Sequence, residues 1–236
     1  MKGLVIPAVL LVLWELGSRA GALPPDSTSR PSLIFTAFVQ AMGDGSLLRD
    51  TWLTFEAALL GFAIAALLGI LLGAVLGLSR TAERAVGPTI EALRPIPAVA
   101  LIPLALLVFG FGLRMEATVV AFAALWPVLL MTVAAVRGVE PRLLELARSL
   151  ELSFAETLTK IVLPAAFGRI AVGLRLALAI SLVVAVTVEI VLNPRGLGHS
   201  MIAAQQALRS DLMYAQLLWL GFVGWALNFF SHKLVK

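Results

Sequence analysis

The 236-residue chain contains no cysteine, which excludes a disulfide-stapled scaffold and any metal site built on thiolate ligands. Charged side chains make up only 14% of the residues, against about 25% in a typical soluble domain. This shortage excludes an ordinary cytosolic enzyme and a highly charged, disordered chain. Apolar side chains make up 60%, well above the usual share of about 45–50%. The balance predicts an integral membrane protein with little chain left for a soluble domain.

Six apolar segments predict six transmembrane helices, because a helix needs about 20 apolar residues to cross the hydrocarbon core. Their approximate ranges are 3–20, 55–78, 96–113, 117–136, 170–192 and 212–230. The first segment is the weakest, since it is short and contains Glu15. Its alternative interpretation is a secretory signal that begins near Lys2, with a cleavage site at Ala20-Gly21-Ala22. A retained span is favoured, because Trp14 and Glu15 are poorly suited to a signal core.

The positive charges indicate which side of the membrane each loop faces. The net charge of +4 is modest, and we therefore expect no nucleic-acid partner. With six spans and both ends inside, twelve Lys and Arg residues lie inside and six lie outside. This bias predicts that both termini and the loops 79–95 and 137–169 are cytoplasmic. On the outer face, residues 196–211 are predicted to form a short interfacial helix.

The loop 137–169 is too long and too charged for a plain connector between two spans. It holds nine of the 32 charged residues, whereas connections in helix bundles usually have about 2–8 residues. Pro141 suits the first position of a helix, and Ser153 with Glu156 forms a capping-box pattern for a second helix. That second helix is predicted to stop near Pro164, because a proline inside a helix removes a hydrogen bond.

Apolar residues of this loop recur at helical spacing and therefore share one face. They are Leu143, Ala147, Leu150 and Phe154. Such a stripe has two destinations that the sequence leaves open. It either folds back on the ends of the bundle or docks into a groove on a partner protein.

Residues of the same loop carry a resemblance to a known family. A Glu-Ala-Ala triplet, three residues, Gly, nine residues, Ile, one residue and Leu-Pro form the EAA loop of binding-protein-dependent ABC importer permeases. The positions that match this pattern at the required spacings are Glu145, Ala147, Ile161, Leu163 and Pro164. Stretches 93–97, 103–104, 173–177 and 196–198 are similar to the nitrate/sulfonate/taurine branch of that family. The resemblance extends from about residue 31 to about residue 230.

Two positions depart from the family pattern. Leu146 replaces the first Ala and makes the docking face bulkier, and Glu151 stands where the family has Gly. A glycine adopts a left-handed turn at little cost, whereas Glu151 in that conformation would cost roughly 1–2 kcal/mol. The alternatives are a strained turn at Glu151, or a helix that runs on to Leu152 and turns at Ser153.

The resemblance implies an all-α, polytopic membrane protein with the fold of type I ABC importer (MetI-like) permeases. Residues 1–236 would form a single permease domain with about six transmembrane helices in a bacterial inner membrane. Its implied partners are a second copy of the chain, two ABC ATPase subunits, an extracytoplasmic solute-binding protein and membrane lipid. The implied substrate is a small solute such as nitrate, a sulfonate or taurine, or a related compound.

The same resemblance implies a non-catalytic transport subunit. The chain has no Gly-Lys-Ser/Thr and hence no P-loop, so that ATP and Mg²⁺ are expected on the partner ATPase and no cofactor is expected here. The implied ATPase-coupling residues are Glu145, Leu146, Ala147, Arg148, Leu150, Glu151, Phe154, Ile161, Leu163 and Pro164. We expect the apolar residues Leu146, Ala147, Leu150 and Phe154 to pack into a groove of the ATPase, with Glu145 and Arg148 setting the orientation.

Polar groups inside the predicted spans are candidates for a translocation path. They are Glu56, Trp126, Ser181, Thr187 and Glu189. Hydroxyl groups at such positions more commonly bond to their own helix. Glu189 and Arg175 are too far apart along one span to pair, and each either faces the pathway or reaches its nearest membrane interface. Small residues at spacings of four and eight predict close helix packing along one face. They are Gly61, Gly69, Gly73 and Gly77.

Two other classes of protein are alternatives, a stand-alone secondary transporter or channel and, less favoured, a membrane-embedded enzyme. No internal repeat of the kind common in secondary transporters is visible. The histidines are only His199 and His232, and no sequence motif of a serine hydrolase or a zinc protease is present. We therefore predict no catalytic residue and no metal ligand.

Overall fold

The computed structural model describes residues 5–21 and 28–234 and shows helices in them without any strand. Lys2 and the start of the first predicted span lie outside the described residues, as do Ala22 of the proposed cleavage site and Lys236. The first four helices are α1 (Val5–Arg19), α2 (Pro31–Gly43), α3 (Ser46–Leu78) and α4 (Arg80–Leu93). A 3₁₀ turn at Ala98–Leu101 leads into α5 (Ile102–Phe109), α6 (Leu113–Arg137) and α7 (Pro141–Ser149). After α8 (Phe154–Glu156) and a π turn (Thr157–Val162) come α9 (Leu163–Val191), α10 (Gly196–Gln206) and α11 (Ser210–Leu234).

Three long helices, α3, α6 and α9, form the core, and the most extensive packing is that of α3 against α6. The glycine stripe of α3 lies in this contact. A Cβ atom built on Gly73 would lie 2.6 Å from Thr132 Cβ, and one on Gly69 would lie 2.8 Å from Val128 Cβ. The stripe therefore serves close packing within one chain, because only glycine lets the two backbones approach this far.

Four helical segments in the described residues are long and apolar enough to cross a membrane. They are Ser46–Leu78, Leu113–Arg137, the stretch Phe154–Gln206 and Ser210–Ser231. A fifth span results if α4 and the segment Ala98–Phe109 are taken together, although they are bent by 87° relative to each other. α1 has 15 residues, and its predicted role as a span stays a prediction.

The third predicted span, 96–113, is not one straight helix. The chain turns at Pro97 into a 3₁₀ turn, and α5 is only eight residues long before Gly110 ends it with a positive φ of 68°. Pro97 precedes the turn and Pro103 lies in the first turn of α5, positions where the missing proline N–H interrupts continuous α-helical bonding. The segment is consequently a bent, partly exposed element beside α6.

The prediction that the helix after Ser153 stops near Pro164 is wrong. The helical path continues from Phe154 through the π turn into α9, whose first turn contains Pro164. The π turn before Pro164 has wider backbone bonding, with the Leu163 N–H donating to the Leu158 carbonyl, and the helical path thereby continues past a residue that has no N–H. From Phe154 onward the 137–169 loop therefore continues into the core helix α9 along one helical path.

Candidate functional site

The turn that follows α7 adopts the left-handed conformation at Glu151, with φ 51°. The Leu152 N–H donates to the Ala147 carbonyl, and the Glu151 N–H donates to the Arg148 carbonyl, both at 3.0 Å. This pair of bonds is a Schellman motif, which satisfies the last carbonyls of a helix. Of the two sequence alternatives, the strained turn at Glu151 is the one observed, because the left-handed conformation is required to close these bonds.

The predicted capping box at the start of α8 is confirmed. The Ser153 hydroxyl accepts the Glu156 N–H at 3.3 Å, and the Glu156 carboxylate accepts the Ser153 N–H at 3.1 Å. Lys160 contributes a further bond to Glu156 at 2.8 Å. These local bonds define the entry angle of α8 and with it the path into α9.

The apolar stripe of the 137–169 loop divides between the two destinations that the sequence left open. Leu143 and Ala147 lie toward the bundle, and Ala147 is only 2% exposed. Leu146, Leu150 and Phe154 point away from the bundle and are 49%, 59% and 60% exposed. Ala147 is thus covered by its own chain in this structure, and the expectation that it enters a partner's groove stays a prediction.

The remaining predicted coupling residues also divide by exposure. The side chains at the surface are those of Glu145, Arg148, Glu151 and Pro164. Ile161 and Leu163 are half-buried, and Leu163 packs on the cluster formed by Val162 and Ala166. The exposed surface of this loop, which we call the α7 surface, consists of three apolar side chains with a charged rim. Its residues are Glu145, Leu146, Arg148, Leu150, Glu151 and Phe154.

A second group of polar residues lies at the opposite end of the bundle, where α3, α6 and α9 meet α10. We call it the buried polar cluster, and its members are Thr54, Glu116, Glu189 and Asn193, each at most 1% exposed. The Glu189 Oε2 atom accepts the Gly198 N–H at 2.8 Å and lies 3.0 Å from the Thr54 hydroxyl. The Thr54 hydroxyl in turn accepts the Leu197 N–H at 2.9 Å. Glu189 is therefore buried within the chain, where it holds the first turn of α10.

Glu116 and Asn193 were not among the residues that the sequence singled out. The Asn193 side-chain amide donates to Glu116 Oε2 at 2.6 Å, and its carbonyl oxygen accepts the Gly112 N–H at 3.0 Å. Glu116 lies one position before the predicted fourth span and Asn193 one position after the fifth, where polar residues are expected to face water. No local pattern indicates that both become buried, since their burial depends on the meeting of three helices.

Three of the other candidate path residues, Glu56, Ser181 and Thr187, bond to nearby groups. Glu56 pairs with Arg195 at 2.6 Å beside the buried polar cluster. The hydroxyls of Ser181 and Thr187 donate to their own helix, to Ala177 and Val183 at 2.8 and 2.7 Å. This observation favours the alternative in which a hydroxyl at membrane depth bonds to its own helix.

Trp126 is half-buried and contacts Phe122 edge to face, with ring centroids 5.3 Å apart. Its Nε1 atom is buried and has no hydrogen-bond partner in the described residues.

Arg175 lines a cavity of about 310 Å³ between α9 and α11. Its Nε atom is buried and also has no hydrogen-bond partner in the described residues. Within the described residues, no group of three acidic or histidine side chains is arranged to hold a metal ion.

Comparison with known proteins agrees with this architecture. Residues 65–236 match the family model described as binding-protein-dependent transport system inner membrane component. SsuC of Bacillus subtilis, named as an aliphatic sulfonates transport permease protein, is 31% identical over 224 residues, covering 95% of this chain and 81% of that protein. The riboflavin transport system permease protein RibX of Chloroflexus aurantiacus is 36% identical over 221 residues, covering 91% of this chain and 80% of that protein.

Among solved structures, a chain from inward-facing conformations of the MetNI methionine ABC transporter matches with a TM-score of 0.67. The match is 18% identical and covers 78% of this chain and 92% of that chain. At this level of identity the match shows only that the fold is similar. The all-α permease fold that the sequence resemblance implied is confirmed.

Proposed function

The chain belongs to the family of binding-protein-dependent transport system inner membrane components, and on that premise we propose that the α7 surface docks on a separate ATPase. As the permease subunit of an ABC importer, the chain provides the membrane passage for a solute. ATP binding and hydrolysis belong to the partner, because this chain has no phosphate-binding loop. Movement of the ATPase then reaches the core through α8 and α9, which form one continuous helical path from Phe154 of the α7 surface.

The observation that carries this proposal is the exposure of Leu146, Leu150 and Phe154 on one short protruding segment. These side chains lie on the side of the membrane that the positive charges mark as cytoplasmic. An apolar centre with charged side chains around it has the composition of a protein interface. Glu145, Arg148 and Glu151 supply that rim and would set the orientation of the complex.

Replacement of Leu146 by Asp tests the docking surface. The charge would be desolvated in the groove without a partner, and we expect less ATPase to co-purify with the permease and uptake to fall. Leu208→Asp is the matched control, since Leu208 is an exposed leucine at the opposite end of the bundle. Unchanged recovery of the complex and unchanged uptake for Leu146→Asp would refute the docking assignment. Ala147 is unsuitable for this test, because a larger residue there would disturb the packing of α7 itself.

We also propose that two copies of the chain line the pathway and bind two ATPase subunits, with a solute-binding protein on the outer side. The family description, which names a binding-protein-dependent transport system, supports the solute-binding protein in this assembly. The mass of the purified complex measures the stoichiometry directly. Transport by the chain without any ATPase would instead favour the stand-alone transporter.

Both termini and the α7 surface are proposed to face the cytoplasm. The absence of native cysteine makes this orientation easy to test with single cysteines. Ser149→Cys should react with a membrane-impermeant maleimide only after the spheroplast membrane is permeabilised. Gln206→Cys should react in intact spheroplasts. The opposite labelling pattern would reverse the orientation.

The proposed substrate is a small anionic or zwitterionic solute of the nitrate, sulfonate or taurine type. The 31% identity to a relative named for sulfonates supports this class, and Arg175 places a cation at a cavity between α9 and α11. Because another relative is named for riboflavin, uptake of a radiolabelled sulfonate should be compared with that of riboflavin. The measurement uses proteoliposomes that contain the permease, its ATPase and its binding protein. Riboflavin uptake without sulfonate uptake would overturn the substrate class.

A further inference from the structure

The two acidic members of the buried polar cluster lie side by side. Glu116 is 0% and Glu189 is 1% exposed, and their carboxyl groups lie within hydrogen-bonding reach of each other. None of the ion pairs in the described residues involves either side chain. Two negative charges at this distance, away from water and without a counter-ion in contact, would repel each other strongly.

The hydrogen bonds of the pair leave one oxygen of each carboxyl group unused. Glu189 Oε2 has the Gly198 N–H and the Thr54 hydroxyl as donors, and Glu116 Oε2 has the Asn193 amide. Glu116 Oε1 and Glu189 Oε1 are both buried, and neither has a hydrogen-bond donor in the described residues. An ionised carboxylate can only accept hydrogen bonds. Each of the two Oε1 atoms therefore needs a hydrogen-bond donor that the neighbouring protein groups do not supply.

We propose that Glu116 and Glu189 form a proton-binding site, in which one proton lies between the two Oε1 atoms. The Glu116 carboxyl is the protonated member and donates to Glu189. Glu189 is the better place for the negative charge, since its Oε2 atom has two donors whereas Glu116 Oε2 has one. A single proton thereby satisfies both unused oxygens and removes the repulsion between the two carboxylates.

The charged groups near the site bond to other residues or face away, although the buried Arg195 Nε atom has no hydrogen-bond partner in the described residues. Arg195 is in contact with Glu56 at 2.6 Å, and the Asp50 carboxylate accepts the Ser200 hydroxyl. Arg114 on α6 and His199 on α10 are exposed. No basic group in the described residues therefore takes the place of the proton by direct contact.

The proton has a structural consequence for α10. Glu189 and Thr54 together hold the N–H groups of Gly198 and Leu197, which are in the first turn of that helix. Removal of the proton would place a second charge in the cluster and weaken the attachment of α10 to α3 and α9. The folded protein retains a proton that the unfolded carboxyl groups release, and its stability should therefore fall as the pH rises.

Infrared spectroscopy of the full chain in lipid nanodiscs detects the proton directly. We expect the carbonyl-stretch band of a protonated carboxylic acid at neutral pH, which disappears at alkaline pH and is lost in Glu116→Gln. Absence of that band in the wild type, or its persistence in both Glu116→Gln and Glu189→Gln, would overturn the proposal. The wild-type titration needs no variant, and the test therefore stands even if one of the substitutions prevents folding.

Thermal unfolding gives the second readout, between about pH 6 and about pH 10. The Tm of the wild type should fall by at least about 3 °C over this pH range, whereas the Tm of Glu116→Gln should change little. The amide of glutamine donates to Glu189 as the acid does, but it does not titrate. Glu83→Gln is the control and should keep the wild-type slope, since Glu83 pairs with Arg137 at the opposite end of the bundle. An equal slope in Glu116→Gln would contradict the proposal, whatever the outcome of the transport and docking tests.

Discussion

The hydroxyl of Thr54 on α3 lies 3.0 Å from the Glu189 carboxylate on α9, although 135 positions separate the two residues in the chain. The Asp50 carbonyl lies at a similar distance of 3.1 Å from this hydroxyl, which has one hydrogen to donate. The charged carboxylate is the stronger acceptor of the two. Because the hydroxyl also accepts the Leu197 N–H, a single side chain joins α3, α9 and α10.

Replacement of Thr54 by the isosteric Val should lower the thermal stability of the permease. The change leaves Glu189 with one donor fewer and the buried Leu197 N–H without its acceptor, which should cost about 1–3 kcal/mol. Thr118→Val is the matched control, since the exposed Thr118 hydroxyl bonds only to the Arg114 carbonyl of its own helix. Equal melting temperatures for the two variants in nanodiscs would show that the contact adds nothing.

Gly73→Ala should destabilise the packing of α3 on α6. The new Cβ would lie 2.6 Å from Thr132 Cβ and 2.9 Å from the Leu129 carbonyl oxygen, and the helices would have to move apart at about 1–3 kcal/mol. Gly168→Ala, on α9 with no atom within 4 Å of the new Cβ, should be neutral or stabilising by up to about 1 kcal/mol. Both are measured as shifts in Tm, and a Gly73→Ala variant as stable as Gly168→Ala would disprove the close approach.

Glu151→Gly should stabilise the turn that follows α7 by about 1–2 kcal/mol. A glycine adopts the φ of 51° without the steric penalty that a side chain incurs in the left-handed region. Glu151→Ala serves as the control, because it removes the carboxylate but keeps the Cβ atom. Amide hydrogen exchange at Leu152, whose N–H closes the turn, should slow in the glycine variant alone. Slowing of the same size in both variants would assign the effect to charge.

Ser153→Ala should loosen the entry into α8. Loss of an N-cap hydroxyl typically costs about 0.5–2 kcal/mol, and the Glu156 N–H would lose its acceptor. The Ser149 hydroxyl donates only to the Glu145 carbonyl in its own helix, and Ser149→Ala is therefore the matched control. Faster exchange of the Glu156 amide in Ser153→Ala is the expected result, and an unchanged rate would mean that the cap is not formed in solution.

Features that depend on nearby residues were predictable from the sequence. The capping box at Ser153 and Glu156 follows from a spacing of three, and the glycine stripe on α3 follows from a helical period. Membership of the family was predicted from the spacing of Glu145, Ala147, Ile161, Leu163 and Pro164, and it is confirmed. The sequence could not predict which apolar residues of α7 are buried and which are exposed. The pattern shows that Ala147 and Leu150 are near one face of the helix, but it does not show what covers that face.

The sequence by itself determined the membrane environment, the helical class and the family. These follow from the apolar fraction, the helical periods and the motif spacings. All three depend only on the order of residues along the chain and not on how the chain folds. Only the tertiary structure decided that Glu116, Glu189 and Asn193 share a buried site with Thr54. Their burial arises when α3, α6 and α9 close around them, and no residue near them in the chain carries that information. The exposure of Leu146 was decided in the same way, because only the packed structure shows which side of α7 the bundle covers.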